Sequence, residues 1–312
     1  MVPTRSFVVG ALGTVAATGV AGLAYAVAES RAYTLRRYDL PVLPAGAPPL
    51  RVLQVTDLHL TPRNHAEVAF IRRLAALEPD LVVDTGDNLA HLQAVPTALH
   101  ALGPLLERPG VFVLGSNDYF APTFKNPARY LANPSGRKFI GTPLPTDELV
   151  RGFTSAGWLD LTNRRATLTV NGIRLAFVGV DDPHLGRDRY PLPGPETSEA
   201  DLTIGVTHAP YTRVLDTMAT EGLPLVLAGH THGGQLRIPG YGALVTNCDL
   251  DTLRCRGVSR WWTGAGRVDP RTPAPDDATW LHVSAGLGTS PFTPVRVACR
   301  PEASLLTLTA AT

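Results

Sequence analysis

The sequence predicts a layered α/β domain. Three observations carry that expectation. Short apolar runs of strand length recur from residue 50 onward, helical patterns lie between several of them, and strand-like patterns crowd the C-terminal part. A chain of 312 residues that is 44% hydrophobic can fill such a core, which excludes a disordered tail or a collagen-like repeat. With 28 Lys+Arg against 27 Asp+Glu the formal net charge is +1, so nothing draws the molecule toward nucleic acid, and none is expected as a partner. The 29 Gly and 28 Pro imply long, shaped loops. Three cysteines cannot make a disulfide framework, although Cys248 and Cys255 could pair around a short loop.

The first element is hydrophobic. No residue from Ser6 to Ala28 carries a formal charge, with Arg5 before the stretch and Glu29, Arg31, Arg36 and Arg37 after it. About 20 apolar residues cross a bilayer, although Gly10, Gly13, Gly19 and Gly22 dilute this one. Ala24-Tyr25-Ala26 and Ala26-Val27-Ala28 both have the small-x-small form of a signal-peptidase site. A retained anchor, a cleaved signal and a buried helix therefore compete. The positive-inside rule keeps the flank Arg31 to Arg37 in the cytoplasm, whereas a signal or signal-anchor exports it. The expectation taken forward is a cell-membrane protein with a single N-terminal anchor and an extracytoplasmic domain, or a secreted protein if the segment is cleaved. Pro41 to Pro49 reads as linker. The chain thus divides into a signal or anchor at 1–30, a linker at 31–49 and one domain at 50–309.

Within the domain, strand candidates run over Leu50–Val55, Leu81–Val83, Val111–Leu114, Arg174–Val180, Leu202–Val206 and Leu225–Ala228, with Thr279–Val283 and Ser304–Leu308 closing the chain. A helix is expected over Glu67–Leu77, where Val68, Ile71, Leu74 and Ala75 share one stripe. Asn126–Leu144 and Asp249–Ala278 read as surface insertions, the second carrying Trp261-Trp262.

Five of the apolar runs stop on the same kind of polar cluster. Leu50–Val55 ends in Thr56-Asp57-Leu58-His59, and Leu81–Val83 in Asp84-Thr85-Gly86-Asp87-Asn88. Val111–Leu114 ends in Gly115-Ser116-Asn117-Asp118, Leu202–Val206 in Thr207-His208, and Leu225–Ala228 in Gly229-His230-Thr231-His232-Gly233-Gly234. Open α/β sheets bind ligands beyond the carboxyl ends of their strands. Carboxylates, an amide and imidazoles gathered there make a metal site of N and O donors without thiolate, which suits Mn, Fe or Zn. Asp57 and His59, two apart on an extended segment, can chelate one ion. The same logic holds for His230 and His232, unless a turn sends the two rings to two neighbouring ions. Asp87 is the natural carboxylate to bridge two cations about 3.5–4 Å apart, which would clamp a phosphoryl oxygen and supply a hydroxide nucleophile. Asp84 and Asn88 read as residues that orient ligands. Asp181-Asp182-Pro183-His184 is a further candidate for the cleft. Arg296 is either a fork for phosphate or, more simply, half of a surface ion pair.

The ordered set resembles the calcineurin-like metallophosphoesterase superfamily, whose signature runs D-x-H, G-D, G-N-H-[D/E], a lone H, then G-H-x-H. More narrowly, Val283-Ser284-Ala285-Gly286-Leu287-Gly288-Thr289-Ser290 followed by Pro294-Val295-Arg296 resembles the YkuE-like branch. The resemblance implies two central mixed β-sheets flanked by helices, in a four-layer α+β sandwich with the metals at one edge. It implies Asp57, His59, Asp87 and His232 around one divalent metal, and Asp87, His208 and His230 around the other. The remaining ligand would be the amide of the third motif, which here reads Gly115-Ser116-Asn117-Asp118. In strict register Ser116 takes the ligand position and Asn117 that of the catalytic His. Asn117 is therefore carried both as a candidate ligand and, with Asp118, as a candidate catalytic residue. The implied function is a metal-dependent phosphoesterase, manganese among its candidate metals, acting on a phosphorylated small molecule or a lipid-linked phosphate or pyrophosphate. The departure at Ser116-Asn117 keeps open an envelope metal-binding scaffold with weak catalysis.

Overall fold

The computed structural model describes residues 19–123, 141–194 and 199–311. In chain order these form helix α1 (19–29), β1 (Thr34–Leu43), β2 (Leu50–Val55), α2 (His65–Arg73) continued by a 3-10 turn, β3 (Leu81–Asp84), α3 (Val95–Leu106), β4 (Gly110–Phe112) and α4 (Ser116–Tyr119). Next come α5 (Thr146–Ser155), β5 (Leu159–Asp160), β6 (Arg165–Val170), β7 (Ile173–Gly179), β8 (Leu202–Val206), α6 (Thr212–Thr220) and β9 (Leu225–Ala228). A short ribbon of β10 (Arg237–Ile238) and β11 (Gly242–Ala243) precedes β12 (Gly257–Trp261), β13 (Thr279–Val283) and β14 (Glu302–Ala310).

Strands that are apolar on both faces need a layer on each side. Leu50 and Val52 of β2 enter one core, while Leu53 and Val55 enter another. Two six-stranded mixed sheets result, ordered β1-β14-β2-β3-β4-β5 and β12-β13-β9-β8-β7-β6. Leu81 and Val83 of the first sheet pack with Phe177, Ile204 and Leu227 of the second in the core between the sheets. Helices α2, α3 and α5 cover the outer face of the first sheet, and α6 covers that of the second. This is the expected four-layer sandwich.

The register between the sheets is fixed by a polar group. Gln54 of β2 is buried, donates from Nε2 to Ala228 O of β9 (2.8 Å), and has its Oε1 2.7 Å from Nδ1 of His282 on β13. Burial drives the His282 pKa down to about 3, so this imidazole stays neutral.

Several expectations change. The linker expected over 31–49 contains β1, which pairs in parallel with β14 from Thr34↔Glu302 onward. Its charged residues and Pro41 are tolerated because β1 is an edge strand, exposed on one side. The polar stretch 249–278 supplies β12, which extends the second sheet, and Trp261 is buried there with its Nε1 on Asp216. Cys248 and Cys255 do not pair, and all three cysteines are free. Of the insertion expected at 126–144, residues 126–140 lie outside the described residues.

The expected N-terminal membrane anchor is corrected as well. Its first part, residues 1–18, lies outside the described residues, and the rest is helix 19–29. Among the described residues no helix is long and apolar enough to cross a membrane. Helix α1 instead ends on the fold. Ala26 O accepts the Arg296 N–H (3.0 Å), and the buried Glu29 carboxylate accepts the N–H groups of Ala298 (3.0 Å) and Cys299 (2.7 Å).

A chain beginning at Gly46 loses both β1 and the Glu29 hydrogen bonds, leaving the edge of β14 bare. It should melt well below a chain beginning at Gly19 and aggregate on concentration. Equal melting temperatures and monodisperse scattering for the two would show β1 to be dispensable.

Candidate metal centre

The polar clusters leave their strands by turning sharply. The φ angle is +51° at Asp57, +43° at His59, +60° at Asp87, +69° at His230 and +48° at His232. A left-handed backbone costs a non-glycine residue roughly 1–2 kcal/mol, and five at one spot persist only if the surroundings impose them. Here they do. The N–H of Asp57 donates to Gly86 O (2.8 Å), that of His59 to Asp87 O (2.9 Å), and that of His230 to Asp57 Oδ2 (2.9 Å). Close approach requires glycine alongside: a Cβ on Gly115 would lie 2.3 Å from Asp87 Oδ1, and one on Gly286 2.5 Å from Asp57 Cβ.

The turns bring together a cluster of buried donor atoms. His59 Nε2 and His232 Nε2 face each other at 3.1 Å. Asp57 Oδ1 lies 3.5 Å from His232 Nε2 and 3.9 Å from His59 Nε2, with no hydrogen-bond partner. Asp87 Oδ2 stands 3.6 Å from His59 Nε2 and 3.5 Å from His208 Nε2, which is 3.2 Å from His230 Nδ1. Asp57, His59 and His232 form one group able to hold an ion, and Asp57, Asp87 and His208 form another.

Hydrogen bonds aim the rings. His208 Nδ1 is 2.8 Å from Thr85 O, and His230 Nε2 is 3.2 Å from Asn247 O. Carbonyls only accept, so each of these nitrogens carries its proton, and the other nitrogen of each ring is turned to the centre. Burial pulls the His59, His230 and His232 imidazoles below their usual range, keeping them neutral with lone pairs available. Burial also opposes charge on Asp87 and His208, but their mutual attraction wins, holding the Asp87 carboxyl low and the His208 imidazole well above its usual value. Without metal the centre is thus one ion pair among neutral rings. An unpartnered buried carboxylate oxygen, converging imidazole nitrogens and no thiolate fit a pair of divalent cations.

The third motif sits at the start of α4. Asn117 donates its backbone N–H to Asp87 Oδ1 (2.6 Å) and its side-chain N–H to Asp87 Oδ2 (2.8 Å). Ser116 Oγ lies 3.5 Å from the Asn117 amide nitrogen. Asp118 is fully buried beneath them and accepts the N–H groups of Asp87 (2.8 Å), Asn88 (2.8 Å) and Gly115 (2.9 Å). Burial, with Asp87 close by, raises its carboxyl to about 7. Asp84 Oδ1 accepts from Gly86 N (2.8 Å) and the Asn88 amide (3.3 Å), which orients the Asp87 turn. Of the 181–184 stretch, Asp181 is engaged by Tyr119 and Arg187 (2.8 Å each), Asp182 is fully buried and interacts electrostatically with His208 and Asp87, and the His184 ring lies 4.7 Å from that of His230.

Arg296 has a role the sequence did not disclose. It is fully buried rather than superficial, and no carboxylate lies within ion-pair distance among the described residues. Its Nη2 donates to Ala285 O (2.8 Å), Gly288 O (2.8 Å) and Gly286 O (3.1 Å), and lies 3.3 Å from His232 Nδ1. The loop so gathered braces the Asp57 turn, with Leu287 N–H on Thr56 O and Gly288 N–H on Asp57 O. The motif Pro294-Val295-Arg296 was visible in the sequence, but its burial depends on α1 and β14, which no local pattern reveals.

Comparison with known proteins agrees with this geometry. The model of the family described as calcineurin-like phosphoesterase matches residues 50–234. The chain is 24% identical to the uncharacterized metallophosphoesterase YkuE of Bacillus subtilis, covering 97% of this chain and 96% of that protein. It is 25% identical to the phosphodiesterase YaeI of Escherichia coli, over 99% of this chain and all 100% of that one. It is 26% identical to the UDP-2,3-diacylglucosamine pyrophosphatase LpxG of Chlamydia trachomatis, over 82% and 83% of the two chains.

Two outcomes follow from the electrostatics. A cation taking His208 Nε2 must displace its proton, so metal uptake near pH 7 should release at least about one proton per chain, and affinity should rise with pH. Calorimetry in buffers of different ionisation enthalpy reads this directly. Arg296→Met should weaken metal binding by about 10–100-fold, the usual cost of losing a group that orients a ligand. Metal content after dialysis against a graded chelator series measures it.

Proposed function

This chain belongs to the calcineurin-like phosphoesterase family of metal-dependent phosphoric ester hydrolases, and from that premise we propose how its own residues divide the work. Asp57, His59 and His232, with Asp87, hold one divalent cation. Asp87, His208, His230 and the Asn117 amide hold the other. Manganese, iron and zinc suit such nitrogen and oxygen donors. One observation supports this reading above the rest: the single atom Asp87 Oδ2 stands 3.6 Å from an imidazole of the first set and 3.5 Å from one of the second, as a bridging carboxylate must.

Bound there, two cations would polarise the phosphoryl oxygens and make water nucleophilic at neutral pH. The protein supplies the aim and the seclusion. Thr56 and His230 hold Asp57 Oδ2, leaving Oδ1 for the centre. Asn117 commits its backbone N–H and a side-chain N–H to Asp87, so its amide oxygen is the acceptor left for a ligand role. An amide, however, cannot protonate a departing alkoxide, and general acid help is worth about 10²–10⁴-fold. Alkyl monoesters are therefore poor substrates. A phosphodiester or pyrophosphate with an acidic leaving group, on a small molecule or a lipid-linked phosphate, is the better one. The Chlamydia relative is by name a pyrophosphatase, which agrees with this preference. The unit that does this work runs from α1 to β14.

Metal-dependent hydrolysis of bis-p-nitrophenyl phosphate by the full chain tests the reading. Two bound metals with no hydrolysis would point to a metal-binding scaffold instead. Asp87→Asn should lower occupancy of both metals, and two metals per chain in that variant by elemental analysis would refute the bridge. Asn117→Ala should weaken binding of the second cation while Ser116→Ala should not, and wild-type rates should fall steeply from activated to alkyl esters, by the absent general-acid help of about 10²–10⁴-fold. If the wild type already cleaves both kinds at similar rates, the missing-acid argument fails.

A further inference from the structure

A cavity of about 420 Å³, none of whose walls is a proposed metal ligand, opens between the start of α2 and the segment that joins α1 to β1. Arg31, Tyr33, Arg63, Asn64, His65 and Glu67 line it. A second space of about 150 Å³ shares Arg31, Tyr33, Asn64 and Glu67 with it and is closed by Leu287 and Gly288.

At its base lies Glu67, only 2% exposed. Its Oε2 accepts the Asn64 amide (2.9 Å), but its Oε1 has no partner. Glu67 lines both spaces, and a buried carboxyl oxygen left without a partner beside a cavity can be satisfied by a hydroxyl that enters it. Burial raises this carboxyl to about 8, with Arg296 pulling the other way, so near neutral pH it can both donate and accept. The mouth has the opposite character. Arg31, Arg63 and His65 are exposed there, and neither arginine forms an ion pair among the described residues. Asn64, at the N-cap of α2, makes no capping bond to the helix backbone, its amide going to the Glu67 side chain instead, and the positive end of α2 lines the cavity as well.

We propose that this cavity binds a hydroxylated phosphate ester, with its phosphate between Arg31, Arg63 and the start of α2 and its hydroxyl on Glu67. The wall it shares with the centre is thin: Leu287 and Gly288 donate their N–H groups to Thr56 O and Asp57 O. The ester is thus held one loop behind the Asp57 turn, either as a remote part of the substrate or as a separate regulator.

The test uses the full chain stripped of metal by chelation, titrated in a calorimeter with glycerol 3-phosphate, inorganic phosphate and glycerol. Glycerol 3-phosphate should bind about tenfold tighter than phosphate, one buried hydrogen bond's worth, and glycerol alone should not bind. Glu67→Leu should erase that preference. Should that variant fail to fold, the exposed pair Arg31→Ala/Arg63→Ala carries the test and should weaken all phosphate binding about tenfold. In the metal-free chain, Asp57→Asn, which disables the metal centre, should leave ester binding as it was. No binding at millimolar ester, or binding lost in Asp57→Asn but kept in the arginine pair, overturns the proposal. A substrate pocket raises KM for a glycerophosphodiester in Arg63→Ala but not for bis-p-nitrophenyl phosphate. A regulatory one makes added ester change turnover of both. Ester binding without any metal-dependent hydrolysis leaves this site standing while removing the hydrolase reading, so the two fail separately.

Discussion

Everything at the metal centre depends on two sheets meeting in one register, and a single buried amide holds that register. Gln54 reaches from β2 to Ala228 O on β9 and to His282 on β13. It lies three residues before Asp57, and Ala228 lies two before His230. A slip of one residue between the sheets would strand this polar group in an apolar layer, at a cost of about 1–3 kcal/mol. It would also carry the Asp57 and His230 turns past each other. Apolar packing between Val83, Phe177 and Leu227 supplies cohesion but is indifferent to small slides. The directional bonds supply the address.

The centre is then assembled by strain held in place from several sides. Five donor residues adopt left-handed backbones that the isolated chain would avoid. The N–H groups of Asp57, His59 and His230 are taken by neighbouring turns, Asp118 collects those of Asp87, Asn88 and Gly115 from beneath, and Arg296 gathers the 285–288 loop against the Asp57 turn. Asp118 and Arg296 thus act on the donors through the backbone. Rigidity of this kind lets the rings keep their aim when the Asp87–His208 ion pair is exchanged for cations.

What was legible in the sequence is what local pattern encodes. Strands β2, β8, β9 and β13 lie where apolar runs placed them, because strands covered on both faces are mainly apolar, Gln54 and His282 being the buried exceptions. The polar clusters at their ends named the residues that the fold gathers. Elements defined by distant partners were not legible. Strand β1 reads Thr-Leu-Arg-Arg-Tyr-Asp-Leu-Pro-Val-Leu, a sequence that alone suggests a linker and becomes a strand only beside β14. The same holds for β12, whose partner β13 follows a long polar loop, and for Arg296, whose burial needs the C-terminal end of α1. The uncharged stretch 6–28 matched a membrane rule by length, whereas the helix that ends it is fastened to the fold by Glu29, through contacts to residues 269 and 270 positions away.

The order β1-β14-β2 has a consequence for how the molecule is made. Strand β14 is made long after β1 and β2 and must be inserted between them, so the first sheet keeps an empty slot until residues Glu302–Ala310 have been made. Until then the edges of β1 and β2 are unsatisfied, and the 284–288 loop lacks Glu302, whose carboxylate and N–H hold Ala285 and Gly286. A product that stops before β14 therefore cannot assemble the brace behind Asp57, however much of the metal-binding sequence it contains. Synthesis through β14 is itself the checkpoint for activity, and the long reach of this closure marks the sheet as a slow, late-committing step in folding.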